Sequence, residues 1–262
     1  MEVGQPGTGA PAGARAAVAA AMERGSLGYT VTLGLSALRA RIARHYGDWY
    51  GVDLDPGRVV VTAGASAAFV LAFIALFDPG ARVGLGAPGY PSHRQILRAL
   101  SLTPVEIETR AEDRFQPRPE DATGLDGLIL ASPANPAGTI LGRDALGALL
   151  ATGVPVISDE FHHGLSYGRP AASALEIDGE AYVIGSFSKY FSMTGWRVGW
   201  TVVPEGHVRT VERLSQNLFI CPPHASQVAA LASLDWGRSW RPTAPPTPAT
   251  ATSCWAPCRA WG

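Results

Sequence analysis

The chain has 262 residues, 47% hydrophobic and 16% charged, with a formal net charge of −1. That length allows one large domain and part of a second, and that charge gives no electrostatic case for nucleic acid or an anionic membrane surface. The longest apolar stretch, Ala67 to Phe77, is too short to cross a bilayer, and the three cysteines, Cys221, Cys254 and Cys258, make neither a disulfide framework nor a complete metal site.

Glu2, Gly4 and Pro6 open the chain without a basic segment or an apolar core, so no secretory leader is expected and the cytoplasm is the expected compartment. Arg15–Arg24 and Leu35–Tyr46 read as helices, and residues 1–45 are taken as an N-terminal arm with its helices. From Arg58 to Val203 short β-branched runs alternate with helical stretches. The expected strands are Arg58–Thr62, Arg82–Gly86, Pro104–Glu108, Gly127–Ala131, Val154–Ser158, Ala181–Gly185 and Val198–Val203. The expected helices are Ser66–Phe77, Pro91–Leu100, Arg143–Ala151, Gly206–Ser215 and Ser226–Leu234. Apolar runs without strict alternation, separated by helices, predict an α/β fold. Its sheet is mostly parallel and sandwiched by helices, in a large domain over residues 46–234. No internal repeat is visible.

Residues 236–262 break the pattern, with four of the seven tryptophans, two of the three cysteines and no Asp or Glu. A disordered linker is one explanation, but linkers are poor in Trp and Cys. The genetic code offers another. A frame shifted by one base at Asp235, with synonymous bases chosen freely, permits an acid–base-balanced continuation with helical apolar spacing. Residues 235–262 are therefore expected to be a non-native or disordered tail following a single-base frameshift.

The chemistry gathers around a single amine. Lys189 is the one lysine against 20 arginines. Arginine cannot lose its proton at any useful pH, whereas a buried lysine amine can act as a base or form a Schiff base. Polar groups follow the carboxyl ends of three predicted strands: Asn135 after Gly127–Ala131, Asp159 after Val154–Ser158, and Ser186-Phe187-Ser188-Lys189 after Ala181–Gly185. Ligands of open α/β sheets bind beyond those strand ends, so the three should converge. Singly each is weak, because Asn-Pro is usually a turn and an Asp after a strand is often a helix cap. Together they suit pyridoxal phosphate. Asp159 would keep the ring nitrogen protonated, and Asn135 would donate to the ring hydroxyl. Arg197, Ser186 and Ser188 would hold the phosphate, together with the free amides of the strand-to-helix turn Thr62-Ala63-Gly64-Ala65-Ser66. Tyr90 would stack on the ring.

These stretches, with Gly4-Gln5-Pro6, the Tyr29 to Arg39 run, Pro88–Tyr90 and Gly195-x-Arg197-x-Gly199, make residues 1–234 resemble a class I/II aminotransferase of the fold-type-I pyridoxal phosphate family. The resemblance implies that Lys189 forms the Schiff base and then moves the proton between substrate carbon and cofactor. It also implies amino acid and 2-oxo acid substrates, and a homodimer in which Tyr29 reaches the neighbouring subunit's phosphate. Two departures stand out. The family's tyrosine three residues after the aspartate is His162 here, which could donate the same bond to the ring hydroxyl; His163 is given no role. The family's small C-terminal domain, with an arginine for the substrate carboxylate, has no counterpart after Asp235, and Arg238, Arg241 and Arg259 cannot be assigned to it. Impaired turnover is therefore expected. The alternatives are a pyridoxal phosphate-dependent carbon–sulfur β-lyase and a non-catalytic cofactor-binding remnant. A dinucleotide-binding oxidoreductase, suggested by Gly84-Leu85-Gly86-Ala87-Pro88-Gly89, is weaker, because prolines 88 and 91 delay helix entry.

Overall fold

The computed structural model of the chain describes residues 4–25, 27–166 and 168–236. The helices are α1 (Ala12–Arg24), α2 (Ser36–Tyr50), α3 (Ala65–Leu76), α4 (Pro91–Ala99), α5 (Arg143–Leu150), α6 (Val208–Phe219) and α7 (His224–Trp236). The strands are β1 (Val59–Thr62), β2 (Arg82–Ala87), β3 (Thr103–Glu108), β4 (Gly127–Ala131), β5 (Val156–Asp159), β6 (Tyr182–Ser186) and β7 (Gly199–Val202). Each expected helix and strand is present, with ends moved by up to four residues. Among the described residues no helix is long and apolar enough to cross a membrane.

The strands form one sheet in the order β1-β7-β6-β5-β4-β2-β3. Pairing is parallel from β6 through to β3, and β7 runs antiparallel to both β6 and β1. The unbroken apolar runs follow from helices on both faces. Val59 and Val61 of β1 and Val183 of β6 enter the core under α1, α2 and α7. Val60, Ile129, Ile157 and Ile184 enter the opposite core under α3, α4 and α6. Leu128, Leu130 and Val156 pack on α5. Strand side chains alternate between faces, so a strand buried on both needs apolar residues at every step.

The ends of the elements have local causes. Gly51 closes α2 in the left-handed region at φ 69, where its amide bonds back to Gly47 and Tyr46 carbonyls. Pro91 opens α4 at a position where no amide hydrogen is needed. α2 runs through residues 45 and 46, the expected limit between arm and large domain. α7 continues to Asp235 and Trp236, and the Asp235 carboxylate meets Arg41 of α2 at 2.9 Å. The rest of the expected tail, with Arg238, Arg241, Arg259, Cys254 and Cys258, lies outside the described residues. The glycine run 84–89 is not a strand-to-helix turn. Gly84 and Gly86 lie inside β2, and Gly84 sits against the Leu125, Ile107 and Leu128 side chains.

Candidate active site

Strand register carries the candidate residues to one edge of the sheet. Ala131 of β4 lies beside Asp159 of β5, and Asp159 beside Ile184 of β6. Farther out, Gly199 at the start of β7 faces both Ser186 of β6 and Thr62 of β1. Asn135, Asp159, the Ser186–Lys189 turn and the Ala65–Ser66 helix entry all leave from this level. Two residues before Asp159 and Ser186, Ile157 and Ile184 point into the core under α3, α4 and α6. Alternation therefore sends Asp159 and Ser186 to that same face.

Asp159 is only 3% exposed. Its Oδ1 accepts the Phe161 amide at 3.2 Å, and its Oδ2 lies 3.0 Å from Nε2 of His93, in the first turn of α4. The close pair is out of hydrogen-bond alignment, and neither atom has a hydrogen-bond partner among the described residues. The His93 ring is held by Phe69, with centroids 4.5 Å apart, and edge-on by Tyr90 at 5.5 Å. An unmade hydrogen bond on a buried polar atom costs about 1–3 kcal/mol. The Asp159 carboxylate is thus a buried acceptor with capacity to spare, facing the space at the strand ends.

Lys189 is half-buried, and its amine donates to the Gly4 carbonyl. The Thr8 and Ser192 hydroxyls, 2.8 Å apart, tie the same N-terminal segment to the lysine turn. Burial, and after it the Arg197 guanidinium, holds the amine below the usual lysine value. That direction frees the lone pair a carbonyl-condensing amine needs. Ser192 and Arg197, at φ 54 and 49, both occupy the left-handed region that non-glycine residues avoid. Strain of this kind is held only where the surroundings over-determine the backbone.

Arg197 stands against the entry to α3. Its Nη1 donates to Thr194 at 3.0 Å, and a Cβ added at Gly64, φ +87, would run into its guanidinium. No side chain caps α3, so the amides of Ala65 and Ser66 have no acceptor within the helix. The Ser186 hydroxyl accepts the Ser188 amide at 3.0 Å and keeps its own proton to donate. A guanidinium, a hydroxyl and uncapped helix amides together form a cradle for an anion.

Asn135 lies half-buried in the turn after β4, which closes through Ala134 N to Thr139 O at 2.9 Å and Gly138 N to Ala134 O at 2.7 Å. His162 stacks on Phe161, with centroids 4.0 Å apart. Burial lowers its pKa, Asp159 opposes that shift and Lys189 adds to it. Tyr90 stands just before α4, 6.1 Å from the Phe161 ring. Tyr29 is 83% exposed on the segment between α1 and α2, apart from this group.

Sequence reasoning passed over four polar residues here. His93 and Tyr50 sit in helices with no motif to mark them, and His163 is given no role from sequence. Glu160 follows Asp159 but faces the other way. Its Oε1 accepts from the Ser158 and Ser173 hydroxyls, both at 3.1 Å, and from the Ala174 amide at 2.7 Å. Burial outweighs those bonds and pushes its carboxyl up to about 8. A cavity of about 20 Å³, room for roughly one water, lies behind the lysine turn among His45, Tyr50, Glu160, His163, Tyr190 and Trp200. It is too small for a substrate and lies under α2, on the face opposite Asp159.

Pyridoxal phosphate fits the residues present. Its protonated ring nitrogen would meet the buried Asp159 Oδ2, its phosphate the cradle at α3, and its aldehyde the half-buried amine of Lys189. The chain's relatives agree. Residues 2–237 match the family model "Aminotransferase class I and II". Valine–pyruvate aminotransferase of Mycobacterium tuberculosis is 45% identical over 243 residues, covering 89% of this chain and 63% of that protein. The (5-formylfuran-3-yl)methyl phosphate transaminase of Methanocaldococcus jannaschii is 31% identical, covering 90% of this chain and 64% of that protein. The crystal structure of an aminotransferase from Mycobacterium tuberculosis superposes with a TM-score of 0.86 at 42% identity, covering 97% of this chain and 69% of that one. The chain thus spans less than two thirds of the length of the two curated relatives. With a match across most of its residues, the chain belongs to the class I and II aminotransferases, a family of pyridoxal phosphate-dependent enzymes.

Proposed function

We propose that the site at the strand ends binds pyridoxal phosphate and transfers an amino group between an amino acid and a 2-oxo acid. One observation carries this reading. The single lysine, a buried carboxylate and an anion cradle leave from one edge of one sheet, on the same side of it.

When bound, the cofactor supplies an electron sink for the bond-breaking step at the substrate α-carbon. The chain's residues supply the rest. Lys189 would anchor the cofactor through Nζ and, once substrate frees it, that amine would accept the substrate's α-proton; its lowered basicity suits both tasks. The Asp159 carboxylate, whose Oδ2 lies 3.0 Å from His93 Nε2, would keep a proton on the ring nitrogen. Asn135 and His162 would donate to the ring hydroxyl, and Tyr90 would pack against the ring. Arg197, Ser186, Ser188 and the Ala65 and Ser66 amides hold the phosphate. Exposed Tyr29 would complete the phosphate site of a second subunit in a homodimer, which supports shared sites. We also divide the chain into an arm up to residue 45, a large cofactor-binding domain to residue 234 and an out-of-frame tail.

Valine and pyruvate are the first pair to test, given the tuberculosis relative. Without acceptor, a transaminase releases 2-oxo acid up to one equivalent per subunit and then stops until acceptor is added. A β-lyase acting on a cysteine conjugate continues without acceptor and releases ammonia. Continued turnover without a 2-oxo acid would replace the transaminase reading with the lyase one.

A further inference from the structure

A buried histidine grips a carbonyl of the turn that carries Asn135. His163 Nε2 lies 2.8 Å from the carbonyl of Ser132. Ser132 is tied at its other polar groups as well. Its amide donates to the Asp159 carbonyl at 3.3 Å, and its hydroxyl accepts the Leu141 amide at 3.0 Å. The other nitrogen of His163, Nδ1, lies 2.7 Å from the hydroxyl of Tyr50, the last residue of α2.

The chemistry of these partners fixes the direction of the chain. A carbonyl can only accept, so His163 carries its proton on Nε2. Burial holds the imidazole at about 4, so it is neutral near pH 7 and its Nδ1 is an acceptor. Burial keeps the Tyr50 phenol protonated, and it is the donor. The nearest carboxyl, Glu160, stands 3.6 Å from Nδ1, outside hydrogen-bond reach, and is itself raised to about 8 by burial. The bonds therefore run from Tyr50 to His163 to Ser132, from a helix under the sheet to the backbone between Asp159 and Asn135.

We propose that His163, held by Tyr50, is a positioning residue for Asn135. It locks the turn after β4 to α2, so that Asn135 and Asp159 present themselves to the cofactor ring in fixed relation. The inference rests on the pyridoxal phosphate reading above. It assigns work to a histidine that touches neither cofactor nor substrate. A buried hydrogen-bonded chain suits that work, because low local polarity strengthens each of its bonds.

The test measures cofactor affinity, and the pH midpoint of the bound cofactor's visible absorbance, in the full chain. His163→Phe keeps the ring volume and removes both bonds, Tyr50→Phe removes one oxygen, and His163→Gln restores a donor toward Ser132. Each is made alone and with Asn135→Ala. The expected result is roughly tenfold weaker cofactor binding for His163→Phe, the size of one ordinary hydrogen bond. Its absorbance midpoint should shift in the same direction as in Asn135→Ala. Tyr50→Phe should give a smaller shift, and His163→Gln partial recovery. In the Asn135→Ala background the effect of His163→Phe should vanish. Full additivity of the two changes would overturn the inference, as would an unmoved midpoint in both His163→Phe and Tyr50→Phe. If His163→Phe does not fold, the same cycle with Tyr50→Phe decides. Failure of the unaltered chain to develop visible absorbance with the cofactor would instead overturn the reading beneath it.

Discussion

Lys189 and Asp159 divide the proposed chemistry between an amine that is easily deprotonated and a carboxylate with an unused buried oxygen. Lys189→Arg keeps the positive charge near the phosphate cradle but cannot condense with an aldehyde. Visible absorbance of the bound cofactor should be absent in that variant, while some phosphate-dependent affinity survives. Asp159→Ala should retain cofactor and lose turnover. If the carboxylate contributes about 5 kcal/mol to stabilising the transition state, the loss approaches four decades in rate. A steady-state comparison with the unaltered chain checks this, and unchanged turnover would remove Asp159 from the mechanism. The sequence marks Lys189 by rarity and Asp159 by its place at the end of a strand, in a chain where lysine is otherwise absent. It does not mark His93. Its role depends on the first turn of α4 crossing above β5, a tertiary fact that no local spacing encodes.

The junction of β1 and α3 is the element on which the anion cradle depends. A side chain at Gly64 is strained, because its φ of +87 disfavours one and the Arg197 guanidinium would have to move from the space a Cβ would take. Gly64→Ala should lower stability by about 1–3 kcal/mol from the backbone alone. It should also weaken binding of pyridoxal phosphate more than of pyridoxal, since the displaced guanidinium faces the phosphate. Thermal melts and the two affinities measured side by side test both parts. Equal losses for the two ligands would mean that the cradle lies elsewhere. The strands and helices could be read from sequence because apolar runs buried on both faces have a length and composition that polar loops do not share. The antiparallel placement of β7 between β1 and β6 could not. A run such as Gly199–Val202 looks the same in either direction, and only the short connection from β6 through Arg197 decides it. The contacts of His163 were hidden for a related reason: its partners Tyr50 and Ser132 lie far off in sequence.

At the scale of the whole molecule, three buried titratable groups should shape stability against pH. Burial lowers His45 to about 3 and His163 to about 4 from an ordinary 6.5. The stability they contribute is fully present above 6.5 and is lost as pH falls toward those values. Glu160 moves the other way, from an ordinary 4.5 up to about 8. Its contribution is full below 4.5 and is lost as pH rises toward 8. Between 4.5 and 6.5 the unfolded chain gains two imidazole protons and the folded one keeps one carboxyl proton, so stability rises with pH; from 6.5 to 8 only the carboxyl counts, and stability falls. Melting of the cofactor-free chain should therefore peak near pH 6.5, and Glu160→Gln should remove the fall on the alkaline side. The central claim is that the single lysine of this chain is the covalent anchor of pyridoxal phosphate. Incubation with the cofactor, borohydride reduction and peptide mapping test it directly. The account predicts label on the peptide containing Lys189, in proportion to the visible absorbance lost on reduction; label confined to the N-terminal amine would contradict it.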